Sequence, residues 1–100
     1  NDANGEGWRN PTGRIVTPGE ATWAYIEAAL RAELAVVESA SPGTRNDLLN
    51  RASYNLGRFP QLNRAALGDV LVEAAVRAGL PEREARRTAR SGLTGARDGG

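Results

Sequence analysis

From Thr17 onward no segment alternates apolar and polar residues with the period of two that a half-buried strand requires. Apolar residues instead return at steps of three and four, between residues that start and stop helices. Thr17-Pro18-Gly19-Glu20 has the form of a capping box with proline at the first helical position, so a helix is predicted to begin there. Its apolar face is Trp23, Ile26, Leu30, Leu34 and Val37, and Ser41-Pro42-Gly43 stops it. Thr44 is placed to cap a second helix, with Asp47 in its first turn, a stripe of Leu48, Leu49, Ala52 and Leu56, and Gly57 at its end. After the connector Arg58-Phe59-Pro60-Gln61, Asn63 caps a third helix. Its stripe is Leu67, Val70, Leu71, Ala74 and Ala78, and Gly79 supplies a left-handed terminus. Pro81 opens a fourth helix, with Glu82 and Glu84 early and Arg86, Arg87 and Arg90 later; Gly92 and Gly95 are predicted to end it. The pattern predicts an all-α fold, a small bundle of about four helices without a sheet.

Residues 1–16 are rich in glycine, asparagine and charge and lack periodicity, which reads as a flexible linker or tail with Trp8, Ile15 and Val16 as docking points. The bundle is expected over 17–97, with 98–100 as a frayed tail. The chain opens on polar Asn1-Asp2-Ala3-Asn4-Gly5, which is no signal peptide, and a start at asparagine reads as a piece of something longer. Alanine supplies 17 of the apolar residues and Leu, Ile, Val, Phe and Trp only 21, so the core must be small and the stability marginal. No apolar run approaches the roughly 18 residues that cross a bilayer, so no membrane partner is expected and the expected location is the cytoplasm.

The 13 basic residues are all arginine, against 12 acids, and there is no Lys, His or Cys. That removes thiol nucleophiles, zinc fingers, histidine acid–base pairs, Schiff bases and the P-loop lysine, and it excludes a disulfide scaffold. The net charge of +1 conceals a split. Residues 1–40 carry −3 and residues 41–100 carry +4, so the last three helices form the basic half. The closest carboxylate pair in the helical region, Glu82-x-Glu84, sits two apart on a helix and cannot converge on one metal. No catalytic residue and no metal ligand is assigned.

Two surfaces can carry binding. On the second helix Asn46, Asn50 and Tyr54 recur at spacing four, with Arg51, Asn55 and Arg58 beside them. Amides and guanidinium groups suit base edges and phosphates, and a tyrosine can stack on a base; the alternative is a solvated polar face. On the fourth helix Arg83, Arg87 and Arg90 lie on adjacent turns of one face, suited to phosphate oxygens, unless they are only solvated. Ser91-Gly92-Leu93-Thr94-Gly95 follows; its small residues would let an anion approach backbone amides, and a helix C-cap explains them equally well.

Gly43-x-Arg45-Asn46-x-x-Leu49-x-x-Ala52, then Gly57, then Leu71-x-x-Ala74-Ala75-x-x-x-Gly79-Leu80, then Glu84-Ala85-x-x-Thr88-x-x-Ser91-Gly92-Leu93-x-x-Gly95 resembles a recurring helical module. It is the helix-bundle domain downstream of the catalytic domain in bifunctional DNA primase/polymerases of actinobacteria, their phages and archaeal plasmids. Tyr25-x-x-x-Ala29-Leu30-x-x-Glu33-Leu34 fits its first helix, and the likeness spans roughly residues 22–97. The chain departs from the family at Arg58-Phe59-Pro60-Gln61, in place of a glycine-containing connector, and at Ala89, where a larger aliphatic is common.

The resemblance implies an accessory domain that is not an enzyme on its own. It would hold single-stranded DNA template and the initiating nucleotide (ATP or another NTP or dNTP). Catalytic carboxylates and Mg2+ would lie in an upstream primase/polymerase domain, and a helicase domain would follow. The family motif bears directly on Arg45, Asn46, Ser91 and Gly92; Asn50, Arg51, Tyr54, Arg58, Arg87 and Arg90 are added by helical geometry. Arg45, Arg51, Arg58, Arg87 and Arg90 would take phosphates, Asn46 and Asn50 would read base or ribose edges, and Tyr54 would stack. For Asn46 a scaffold role stays open, since an asparagine at that position can tie a helix start to its neighbour. Two rivals stand beside this reading. One is a helix-turn-helix binder of duplex DNA, with Ala75, Gly79 and Leu80 before an arginine-rich helix. The other is a structural bundle joining domains or docking a partner protein.

Overall fold

A computed structural model describes residues 8–9, 15–16 and 18–99, with side chains from 19 to 96. Four helices build it: α1 (Trp23–Glu38), α2 (Arg45–Gly57), α3 (Arg64–Ala78) and α4 (Glu82–Gly99). The expected all-α bundle is thus present. One departure is a two-residue antiparallel ladder between β1 (Trp8–Arg9) and β2 (Ile15–Val16), with Trp8 opposite Val16 and Arg9 opposite Ile15. The rest of the expected flexible segment 1–16, and any docking by the Trp8, Ile15 and Val16 side chains, lie outside the described residues. No helix among the described residues is long and apolar enough to cross a membrane.

The helix starts partly differ from those predicted. Pro18–Glu20 forms a single 3-10 turn, and α1 begins later, where the Thr22 side chain accepts from the Tyr25 amide at 3.2 Å. A Pro-Gly pair favours a tight turn, and Gly19 inside a helix would lose backbone entropy, so Thr22 becomes the cap. Thr44 occupies the N-cap position of α2 without capping it; its hydroxyl donates to the Ser41 carbonyl at 2.9 Å. Asn63 does cap α3, accepting from the Ala66 amide at 2.9 Å. At the other end Gly79 has φ +111°, and Leu80 and Gly79 donate to Ala75 and Val76 in a Schellman closure.

In α1 Ile26, Ala29 and Val37 are buried, and Leu30 and Leu34 pack against them half-buried. Trp23 was expected on this face and is 64% exposed. It is the first helical residue, and a side chain there leans back beyond the layer its helix covers. In α3 Val70, expected in the buried stripe, is exposed, while Val72 and Ala75, outside that stripe, are buried. α3 packs against both α1 and α4, so its apolar arc is wider than a single stripe. α4 contributes Ala85, Ala89, Leu93 and Ala96 to the core, and the connector contributes Phe59. Nearly half of the buried apolar residues are alanine, so the helices fill space by approaching closely instead of interlocking large side chains.

One carboxylate is caught between α1 and α2. Glu33 accepts a hydrogen bond from Asn55 at 3.1 Å, with the Arg51 charge nearby. Burial raises its pKa, and the Asn55 bond and Arg51 only partly oppose that. A carboxylate raised in the folded state favours folding most below its unfolded pKa, near 4.3, and that contribution is lost as pH rises through the folded value. Glu33→Gln keeps an acceptor for Asn55 and has no charge to desolvate. Its stability relative to the parent chain should therefore improve between about pH 4 and about pH 7. Melting temperatures of both proteins across that range check this; a difference that stays constant or moves against glutamine would contradict it.

Candidate functional site

The seam between α2 and α4 is built from small residues. A Cβ on Gly92 would lie 2.6 Å from the Ser53 Cβ and 2.7 Å from the Asn50 carbonyl oxygen. One on Gly57 would lie 2.9 Å from a Leu93 methyl and 3.0 Å from the Ala96 Cβ. Ser53 is fully buried and donates to the Leu49 carbonyl at 2.7 Å, which leaves no polar demand on α4. Gly92 and Gly95 therefore do not end the fourth helix, as the sequence had predicted; α4 runs through them to Gly99, and Gly100 lies outside the described residues. Gly92 is buried inside a helix, where its amide serves the helix ladder and its missing side chain serves packing, so it is no anion-binding turn.

This fixes the outcome of a substitution. Gly92→Ala gains about 1 kcal/mol of helix propensity. It also drives a methyl group into the backbone of α2, which cannot swing aside. The expected net is a loss of about 1–3 kcal/mol, read as a lower urea midpoint. An unchanged or raised midpoint would contradict the close approach.

Above the seam Asn46 joins the two helices. Its amide nitrogen donates to Glu84 and its amide oxygen accepts from the Thr88 hydroxyl, so both ends are engaged. The scaffold role left open for Asn46 is the one observed. One turn on, Asn50, Arg87 and Ser91 face a shared open groove of ≈ 480 Å³, with Asn46, Asp47 and Thr88 completing its walls. Glu84, Thr88 and Ser91 recur at four and three residues, a spacing that marks one face of α4 and could have flagged Thr88 from the sequence. Further along, Tyr54 lies beside Gly95, with the Arg58 guanidinium 5.9 Å from its ring centroid.

The other assigned residues do not gather here. Arg45 lays its guanidinium against Gly79, whose Cβ, if it had one, would lie 3.0 Å from the Arg45 Cζ. That places its charge at the C-terminal end of α3, where the helix dipole favours a cation. Arg51 stands on the α1 side of α2 near Glu33. Arg90 lines a second groove, between α3 and α4. The carboxylates of Glu82 and Glu84 diverge, one to Arg86 at 3.0 Å and the other to Asn46. Among the described residues no three groups come together that could hold a metal ion.

The partners of the arginines sort them. Arg31 pairs with Glu27, Arg77 with Glu38 and Glu73, and Arg86 with Glu82 and Asp69, while Arg64 donates to Thr94. Arg83, Arg87 and Arg90 are exposed and, among the described residues, meet neither a carboxylate nor a hydrogen-bond acceptor. They share the outward ridge of α4, beside the groove that holds Asn50 and Ser91. No family model, curated protein or solved structure matches this chain.

Proposed function

We propose that the chain is the accessory helix bundle of a bifunctional DNA primase/polymerase of actinobacterial or actinophage type, acting in the cytoplasm during DNA replication. It holds single-stranded template and the initiating nucleoside triphosphate, while nucleotidyl transfer and its Mg2+ belong to a separate catalytic domain. The observation that carries this reading is the ridge of Arg83, Arg87 and Arg90, left unneutralised while Arg31, Arg77 and Arg86, among the described residues, pair with carboxylates. Arginine presents planar, weakly hydrated forks that match phosphate oxygens, and an unpaired set on one helix face offers them at successive turns. Arg87 stands between the ridge and the groove, so a backbone held on α4 would bring its bases or ribose toward Asn50 and Ser91. Tyr54, at the far end of the seam, offers a stacking surface once Arg58 moves aside.

A helix-turn-helix reading shares the ridge but is disfavoured by the first turn of α4. Glu82 and Glu84 place carboxylates where a recognition helix brings its N-terminal residues to the bases. Fluorescence anisotropy with labelled single-stranded and duplex oligonucleotides, with and without ATP, separates the readings. The proposal expects single strands to be preferred and ATP to change either the affinity or the amide shifts of α4. Preference for duplex would favour the helix-turn-helix reading, and absence of any binding would favour a purely structural bundle.

A further inference from the structure

Gly57 and Gly92 are required by the close approach of α2 and α4, but Gly68, inside α3, is not. A Cβ there would meet only the Leu93 Cδ1, at 3.7 Å, which is ordinary contact. Glycine inside a helix is unfavourable relative to alanine, and no neighbouring atom demands it at this position. Its effect is to open the floor of the groove between α3 and α4, of ≈ 480 Å³, where Ala65, Val72, Ala89 and Leu93 form the remaining apolar surface. On the rim Asp69 lies 3.8 Å from Arg86, which also holds Glu82, whereas Arg64 and Arg90 meet no carboxylate among the described residues, so the arginines outnumber the one acid of the lining. The lining holds no amide, no hydroxyl and no aromatic ring. It therefore lacks the amides, hydroxyls and aromatic ring that the α2–α4 side offers to bases, and its guanidinium groups suit carboxylates as well as phosphates.

We infer that the α3–α4 groove is a docking site for an acidic peptide segment of a partner protein. An aliphatic or phenylalanine side chain of the segment enters over Gly68, and flanking carboxylates meet Arg64 and Arg90. Charge complementarity selects the occupant: an aliphatic floor rewards an apolar side chain, and a cationic rim rewards acids on either side of it. This inference does not rest on the nucleic-acid reading: the groove lies on the flank of α4 opposite Asn50 and Ser91 and shares only Arg90 with the ridge, and Gly68→Leu tests it without touching the ridge.

Selection of random short peptides on the immobilised full chain, with the Gly68→Leu protein as the counter-target, tests it. The expected peptides carry Asp or Glu around Leu, Ile or Phe, and they lose about tenfold or more in affinity on Gly68→Leu or on the Arg64→Gln/Arg90→Gln double variant. Gly68→Ala serves as the folding control and should melt at or above the parent temperature, because its methyl group fits. Enrichment of non-acidic sequences, equal binding to the filled groove, or no enrichment at all would overturn the inference. So would protection of the amides from Ala65 to Val72 by an oligothymidylate, which would assign the groove to nucleic acid.

Discussion

Phe59→Ala should cost the fold about 3–5 kcal/mol, the usual loss for deleting a buried aromatic side chain. Phe59 is 1% exposed and sits in the connector between α2 and α3. It is the only phenylalanine in the sequence. In a core where alanine supplies nearly half of the buried apolar positions, one ring fills a share of the volume that no neighbour can expand to replace. A chain of this size holds only about 5–15 kcal/mol of stability, and the alanine-rich core argues for the lower part of that range. Each kcal/mol shifts the melting temperature of such a domain by roughly 4–8 °C, so a fall of about 12–40 °C is expected by circular dichroism. Phe59→Leu should lose much less. A fall of only a few degrees for alanine would mean that the connector is peripheral.

The second large effect concerns binding and should leave the fold untouched. Replacing Arg83, Arg87 and Arg90 together with glutamine removes three exposed charges that make no ion pair among the described residues. Melting temperature should change little, because no intramolecular contact is lost and glutamine is nearly as good a helix former as arginine. Affinity for single-stranded DNA should fall by about one to two orders of magnitude at low salt. The slope of log affinity against log salt should flatten by about 2, since each phosphate contact on a single strand releases about 0.7 of a counterion. Arg77→Gln is the matched control. Arg77 is held by Glu38 and Glu73, so its loss should leave the salt slope unchanged. A change in slope for Arg77→Gln of about one third of the triple variant's, in proportion to one charge against three, would mean that net charge acts, and not the ridge.

The number of helices, the Asn63 cap and the Gly79 terminus were legible because they depend on residues close together in sequence. The start of α1 was not, since two capping candidates, Thr17 and Thr22, stand five residues apart and local signals do not rank them. The glycines misled for a related reason. At a helix end and at a helix crossing glycine is spelled alike, and only the partner helix tells them apart: Gly79 has a positive φ, whereas Gly92 lies against the backbone of α2. The candidate site was half legible. Helical spacing brought Asn46, Asn50, Arg87 and Ser91 into reach of one another once α2 and α4 were packed. Spacing carries no record of which polar groups are already engaged. Asn46 is spoken for by Glu84 and Thr88, and Arg45 rests on Gly79. Arg87 and Arg90 share a ridge yet line different grooves, because α4 packs between α2 and α3.

The α4 ridge and the groove beside it are tested most directly by amide chemical-shift mapping. Uniformly labelled protein is titrated with an oligothymidylate at low salt. The largest perturbations are expected along α4 from Arg83 to Ser91 and at Asn50 across the groove, fading as salt is added. Perturbations confined to α1, or no perturbation while duplex DNA shifts the same amides, would contradict a single-strand site there.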